Sequence, residues 1–156
     1  MTRRAVAVVM TVLTLTIGGR VLAQKGTPIT VFKTPTCGCC GKWVEHLRAN
    51  GFAPDVTELD DLAEVQAKYK VPAEARSCHT AFVGGYVVEG HVPASEIRKL
   101  LREEPAVLGI AAPGMPPGSP GMESSAARPY DVVTFDKAGK LKVFSTQTPA
   151  PRGPAH

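Results

Sequence analysis

Three cysteines fall within four positions in TPTCGCCGKW, residues 34–43, between a β-like run and a helix-like one. A chain built this way must bring a strand end and a helix start together around its sulfurs. The sulfurs then sit beside unpaired backbone N–H groups and the positive end of the helix dipole, which lowers a thiol pKa. Thiolate is both the nucleophile and the metal ligand, so the placement suits a redox reaction or capture of a soft ion. Cys37 and Cys40 have the C-x-x-C spacing. Cys39 adds a third thiol, and a disulfide to its neighbour Cys40 would be strained, so any simple dithiol cycle leaves one sulfur over.

The flanking patterns place the cluster. PITVFKTP (28–35) alternates Ile29, Val31 and Lys33 against Thr30 and Phe32 and reads as a strand. From Cys39 to Asn50 the residues Trp43, Val44 and Leu47 mark an amphipathic helix, stopped by Asn50-Gly51. PDVTELD (54–60) is a second strand, and Asp60 or Asp61 caps a second helix carrying Leu62, Val65 and Tyr69. TAFVGG and YVVEGHV (80–92) form two strands turning at Gly84-Gly85, and PASEIRKLLREE (93–104) forms a helix on Ile97, Leu100 and Leu101. The order β-α-β-α-β-β-α, with C-x-x-C between the first strand and helix, predicts an α/β thioredoxin-like core over residues 24–108.

That expectation has a consequence for the fourth cysteine. Thioredoxin-like enzymes generally carry a cis-proline before the third strand, whereas this chain has Ser77-Cys78-His79-Thr80 there, with no proline nearer than Pro72. The fold would bring Cys78 across to Cys37, Cys39 and Cys40, with His79 beside it, giving up to four thiolates. His79 is expected either as a ligand or at the surface. Soft thiolates and thioethers favour Cu(I) over harder ions. Zinc, which also takes four thiolates or Cys/His sets, ranks below copper.

After Pro105 the composition changes. Residues 109–129 are dense in Gly, Pro and Ser and read as a loop without regular structure. Met115 and Met122, each in a PGM triplet, could fold this loop over the thiols as ligands or as hydrophobic cover. YDVVTFD and LKVFST predict a β-hairpin over 130–146, and 147–156 reads as a disordered tail. His91 is expected to be structural, His46 to lie on a solvated helix face, Trp43 to be core, and Glu89 and the Asp60-Asp61 pair to be surface or capping charges.

The N-terminus carries Arg3 and Arg4, then an uncharged apolar run over 5–19 and small residues before Gln24, the shape of a cleaved signal peptide over 1–23. Arg3, Arg4 and Arg20 leave with it, so the formal charge of +4 falls by three to +1. The basic balance therefore belongs mainly to the export signal, and the mature chain has no Lys/Arg stripe suited to nucleic acid. The expected location is periplasmic or secreted, with no membrane attachment after cleavage.

The segments FKTPTCGCCGKWVEHLRANGF, KYKVP, SCHTAFVGGYVVEGHVPASEIRKLL and PGMPPGSPGM together resemble the small exported thioredoxin-like metal-binding proteins of bacterial copper resistance, the CopG type. The match spans about residues 31–122. It implies a periplasmic protein that binds copper through the C-x-C-C run and the distant cysteine, as a Cu(I) site of one or several ions with Cu(I)/Cu(II) conversion. Its partners would be copper ions and other periplasmic copper-handling proteins. The rivals are a thiol-disulfide oxidoreductase with Cys37 as nucleophile and Cys40 as resolving thiol, and an interaction module stapled by two structural disulfides.

Overall fold

The computed structural model describes residues 26–149. The signal segment expected over 1–23 and the tail beyond 149 lie outside the described residues. The chain runs β1 (Thr27–Lys33), α1 (Gly38–Ala49), β2 (Phe52–Glu58), α2 (Ala63–Lys68), a short 3-10 turn (Ala73–Ala75), β3 (His79–Val83), β4 (Tyr86–Gly90), α3 (Ala94–Glu103), β5 (Gly109–Ala112), β6 (Tyr130–Phe135) and β7 (Leu141–Gln147). All seven strands form one mixed sheet in the order β2-β1-β3-β4-β5-β6-β7. Among the described residues no helix is long and apolar enough to cross a membrane.

Alternation in β1 drives the layering. Ile29 and Val31 point into a core that also holds Trp43, Val44 and Leu47 of α1 and Ile97 and Leu100 of α3. Lys33, on the same face at the strand end, is nearly buried and pairs with Glu58 at 2.6 Å. The other face of the sheet is covered by the segment around Val71 and Ala75, which packs with Val87, Ala111 and Phe135. The N-cap of α2 is Leu62 rather than Asp60 or Asp61, and Asp61, one residue before it, accepts from the Ala63 N–H at 2.7 Å. The buried residue of that helix is Gln66, however, while Val65 and Tyr69 stay partly exposed.

The stretch 109–129 corrects the expectation of a loop throughout. Its first four residues form β5, all of them buried, parallel to β4 and antiparallel to β6. Glycine and alanine have weak β propensity, which is why the run reads as loop, but position decides here. Small side chains suit a strand wedged between two neighbours, and a Cβ on Gly109 would run into the Val87 carbonyl and the Phe135 ring. Through β5 the expected hairpin becomes the continuing edge of the main sheet, and Gln147, assigned to the tail, belongs to β7. Phe135, fully buried, ties that edge to the core. Phe135→Ala should therefore lower global stability by about 3–5 kcal/mol in a denaturant melt; a separate, earlier transition for the hairpin alone would contradict this arrangement.

Candidate metal centre

The turn 34–37 carries the chain from β1 into α1, and Cys37 is the N-cap of that helix with no side-chain cap bond. The first-turn N–H groups thus take no bond from the side chain at the cap position. Cys37 and Cys40 are joined as a disulfide, while Cys39 and Cys78 are free thiols. Cys39 Sγ lies 3.4 Å from Cys37 Sγ, and Cys78 Sγ lies 3.5 Å from Cys40 Sγ. All four sulfurs fall within 4.8 Å of one another. The convergence expected of Cys78 is present, and the pairing of all four cysteines as two disulfides is not.

Cys78 is held by its neighbour. The Ser77 N–H donates to Glu89 Oε1 at 2.7 Å, and Gln66 Nε2 donates both to the Ser77 carbonyl at 3.2 Å and to Glu89 Oε1 at 2.7 Å. The Thr80 hydroxyl donates to Glu89 Oε2 at 2.6 Å. The Ser77 hydroxyl reaches forward to the Gly114 carbonyl. Glu89 is therefore no surface charge: it is fully buried and clamps the backbone beside Cys78. Desolvation pushes its carboxyl up to about 7, more than the bonds from Thr80, Ser77 and Gln66 lower it.

Two histidines complete the surroundings. His79 is fully buried rather than at the surface, with Nδ1 3.5 Å from Cys78 Sγ and its ring against Trp43 at 4.2 Å between centroids. Its Nε2 is the buried side-chain polar atom without a hydrogen-bond partner among the described residues. His91, expected to be structural only, is also fully buried, and its Nε2 lies 3.1 Å from Cys78 Sγ. His91 Nδ1 lies 2.8 Å from the Pro120 carbonyl, which can only accept. The proton therefore sits on Nδ1, leaving Nε2 as a lone pair aimed at the thiol. Burial lowers the pKa of both rings, that of His79 to about 3, so both are neutral, the form that ligates metals. Cys78, His79 and His91 form a second group of donors within 4.8 Å of one another.

Burial, followed by the adjacent Cys39, pushes the Cys78 thiol up to about 11. It keeps its proton near neutrality until a cation or a base takes its place. His46 also departs from expectation: it is half-buried, accepts from the Ala94 N–H at 3.1 Å and has its pKa lowered by burial. Trp43 is core as read, its Nε1 donating to the Val92 carbonyl at 2.8 Å.

The two methionines part company. Met122 lines a cavity of about 490 Å³ together with Gly38, Cys39 and Lys42, at the mouth of the thiol cluster. Met115 is 54% exposed and lines a different cavity, among Pro116, Pro117, Arg128 and Tyr130. The loop reaches the cluster through Gly121, whose φ of +84° and close approach admit no side chain: a Cβ there would lie 2.6 Å from the Cys39 carbonyl and 3.0 Å from the Trp43 nitrogen. Gly121→Ala should lift the loop, speed alkylation of Cys39 severalfold and cost about 1–3 kcal/mol of stability; unchanged Cys39 labelling would contradict a closed loop.

His91 had a signal in the sequence. Once Thr80 pairs with Glu89 across antiparallel β3 and β4, the same register carried two residues outward sets position 78 opposite 91. Glu89 and Gln66 carried no comparable signal, because charge and amide side chains read as surface until the fold buries them.

A family described as "Protein of unknown function, DUF411" matches residues 75–122, the stretch from the loop before Cys78 to Met122. No curated protein sequence matches the chain. A solved structure titled "Copper resistance protein copG- Form 1" is 41% identical, with a TM-score of 0.73, covering 80% of this chain and 99% of that one. A second, titled "Copper resistance protein copG- Form 2", is also 41% identical with a TM-score of 0.73, covering 78% of this chain and 98% of that one. At that identity, over nearly the whole of those proteins, the chain belongs to the CopG-type copper-resistance family.

Proposed function

We propose that this chain is an exported copper-binding protein that captures Cu(I) on the thiolates of Cys37, Cys39, Cys40 and Cys78 in copper resistance. The observation that carries it is the meeting of Cys78, from the loop before β3, with three sulfurs at the mouth of α1, all within 4.8 Å. Sulfur-rich donor sets select soft ions, Cu(I) among them, and the two similar solved structures are titled copper resistance proteins. The arrangement β2-β1-β3-β4, with β1 parallel to β2 and antiparallel to β3, supports a thioredoxin-like scaffold beneath the site. His79, and Met122 at the cavity mouth, are further ligands in this reading, whereas Met115 lines a different cavity and takes no part. The segment 1–23 directs the protein to the periplasm, where it meets copper ions and other copper-handling proteins.

The Cys37–Cys40 disulfide gives the site a redox partner for its cargo. Two thiolates give up two electrons to two Cu(II) ions as the S–S bond forms, leaving two Cu(I); the reverse reaction opens the bond and frees both thiolates. The same disulfide favours a second reading, a thiol-disulfide oxidoreductase with Cys37 attacking and Cys40 resolving. Titrating reduced, anaerobic mature protein with Cu(I) against a chromogenic chelator, alongside a disulfide-reductase assay, separates the two. Tight uptake with negligible reductase turnover is expected; rapid turnover with weak Cu(I) uptake would overturn the copper reading in favour of the second.

A further inference from the structure

Strand alternation in β3 sends Ala81 and Val83 into the core with α1, and Phe82 to the opposite face of the sheet. There Phe82 meets Tyr69 at the end of α2, with ring centroids 3.7 Å apart. Together with Val87 and Leu108 these rings line a cavity of about 390 Å³, the size of a small-molecule site. Gly85 and three lysines, Lys68, Lys70 and Lys137, complete the lining, and no acidic side chain joins them. We propose that this cavity binds a small aromatic anion of the aryl carboxylate class, its ring against Tyr69 and Phe82 and its charge met by Lys70 and Lys137.

The charge of the cavity is unbalanced. Among the described residues the ion pair is Lys33–Glu58, so no carboxylate neutralises the three lysines at this rim. Asp136, next to Lys137, is committed to its own turn, where Oδ1 accepts from the Ala138 and Lys140 N–H groups at 2.9 and 3.0 Å. Lys68 holds its ammonium 5.3 Å from the Tyr69 ring centroid. Lys70 and Lys137 are left for an incoming anion, beside an aromatic floor that favours a flat apolar body.

Lys70 stands where the backbone favours glycine. It follows the C-cap Tyr69 with a φ of +54°. The helix ends there in a Schellman motif: the Val71 N–H donates to the Gln66 carbonyl at 2.9 Å, and the Lys70 N–H to the Ala67 carbonyl at 3.1 Å. Glycine takes that left-handed conformation without strain, and a lysine does not. Strain of this kind gathers at ligand sites, and here it falls on a residue whose side chain lines the cavity. Lys137 is positioned from the other side. Its turn is closed by the Gly139 N–H donating to the Asp136 carbonyl at 3.0 Å, and it leans on Pro72, 3.8 Å from where a Cβ on Gly139 would stand. Two separate segments thus bring a cation each to one aromatic cavity. None of its lining residues is a proposed copper ligand, so the inference does not depend on the copper reading.

The test is an amide NMR titration of metal-free mature protein with naphthoate. Saturable shifts are expected at Tyr69, Lys70, Phe82, Gly85 and Leu108. Naphthylmethanol, which keeps the ring without the charge, and octanoate, which keeps the charge without the ring, should each bind about fivefold more weakly or worse. Lys70→Gly should lose about fivefold in naphthoate affinity while its thermal midpoint holds or rises, because glycine relieves the cap; Lys137→Gln should lose a similar factor. Absence of saturable shifts, either control compound binding as tightly as naphthoate, or full affinity in Lys70→Gly would overturn the proposal. Cys78→Ser should bind naphthoate like the parent protein, and a loss there would overturn the independence of this cavity from the thiol cluster. Failed Cu(I) uptake in the separate titration would leave the anion site standing, and failed naphthoate binding would leave the copper reading standing.

Discussion

Replacing Cys78 by serine is expected to weaken Cu(I) binding by about 100-fold or more, since altering an outer-shell partner of a metal ligand already costs about 10–100-fold and this change removes a sulfur itself. The hydroxyl keeps the size of the side chain but is a hard donor that a soft ion rejects. Folding should scarcely respond, because Cys78 is half-exposed and its backbone is held from Ser77 by Glu89 and Gln66. Competition against a Cu(I) chelator and a thermal melt, run on the same preparation, check both halves. Affinity within threefold of the parent protein would mean that the sulfurs of α1 bind copper alone, and Cys78 would lose its place in the account.

The second large effect concerns Glu89. Its carboxyl is pushed from 4.5 up to about 7 in the folded protein, chiefly by desolvation. The folded state thus binds the proton more tightly than the unfolded chain. The stabilisation from that proton is fully present below the unfolded pKa and is lost as pH rises through about 7. Stability should accordingly fall by about 3 kcal/mol from roughly pH 5 to pH 8 from this group alone. Glu89→Gln should flatten that profile and be the more stable form at the alkaline end. Its amide oxygen can accept from Ser77 and Gln66, and its NH₂ can donate to the Thr80 hydroxyl. Glu89→Ala instead strands the Ser77 N–H and the Thr80 hydroxyl, at about 1–3 kcal/mol for each group left unsatisfied, and leaves Gln66 only its bond to the Ser77 carbonyl. Denaturant melts at several pH values decide it: a Glu89→Gln protein with the parent's pH slope would place the titration elsewhere.

Much of this architecture is legible from local pattern. Ile29 and Val31 alternate as a half-buried strand must, and Trp43, Val44 and Leu47 recur as a helix packed on a sheet must, so the elements around the cysteines are readable before any coordinates. Cys78 was placed by one further step, from element order to the loop that faces the first helix. What stayed hidden was set by tertiary context. Gly109 to Ala112 look like loop because small residues carry no β preference of their own, yet they form an interior strand of a seven-stranded sheet. Glu89 and Gln66 look like surface because nothing in their neighbours announces burial. His91 lay between these cases: strand alternation alone does not mark it, whereas the β3–β4 register does. Met115 and Met122 share the same triplet and the same loop, and only the path of the chain past Gly121 sets one beside Cys39 and leaves the other outside.

The most direct measurement is the copper position itself, from anomalous diffraction of reduced, Cu(I)-loaded crystals. Copper is expected to be bonded both to Cys78 Sγ and to at least one of Cys37, Cys39 and Cys40. Copper held elsewhere, or held at the α1 mouth with the Cys78 side chain turned away, would contradict it.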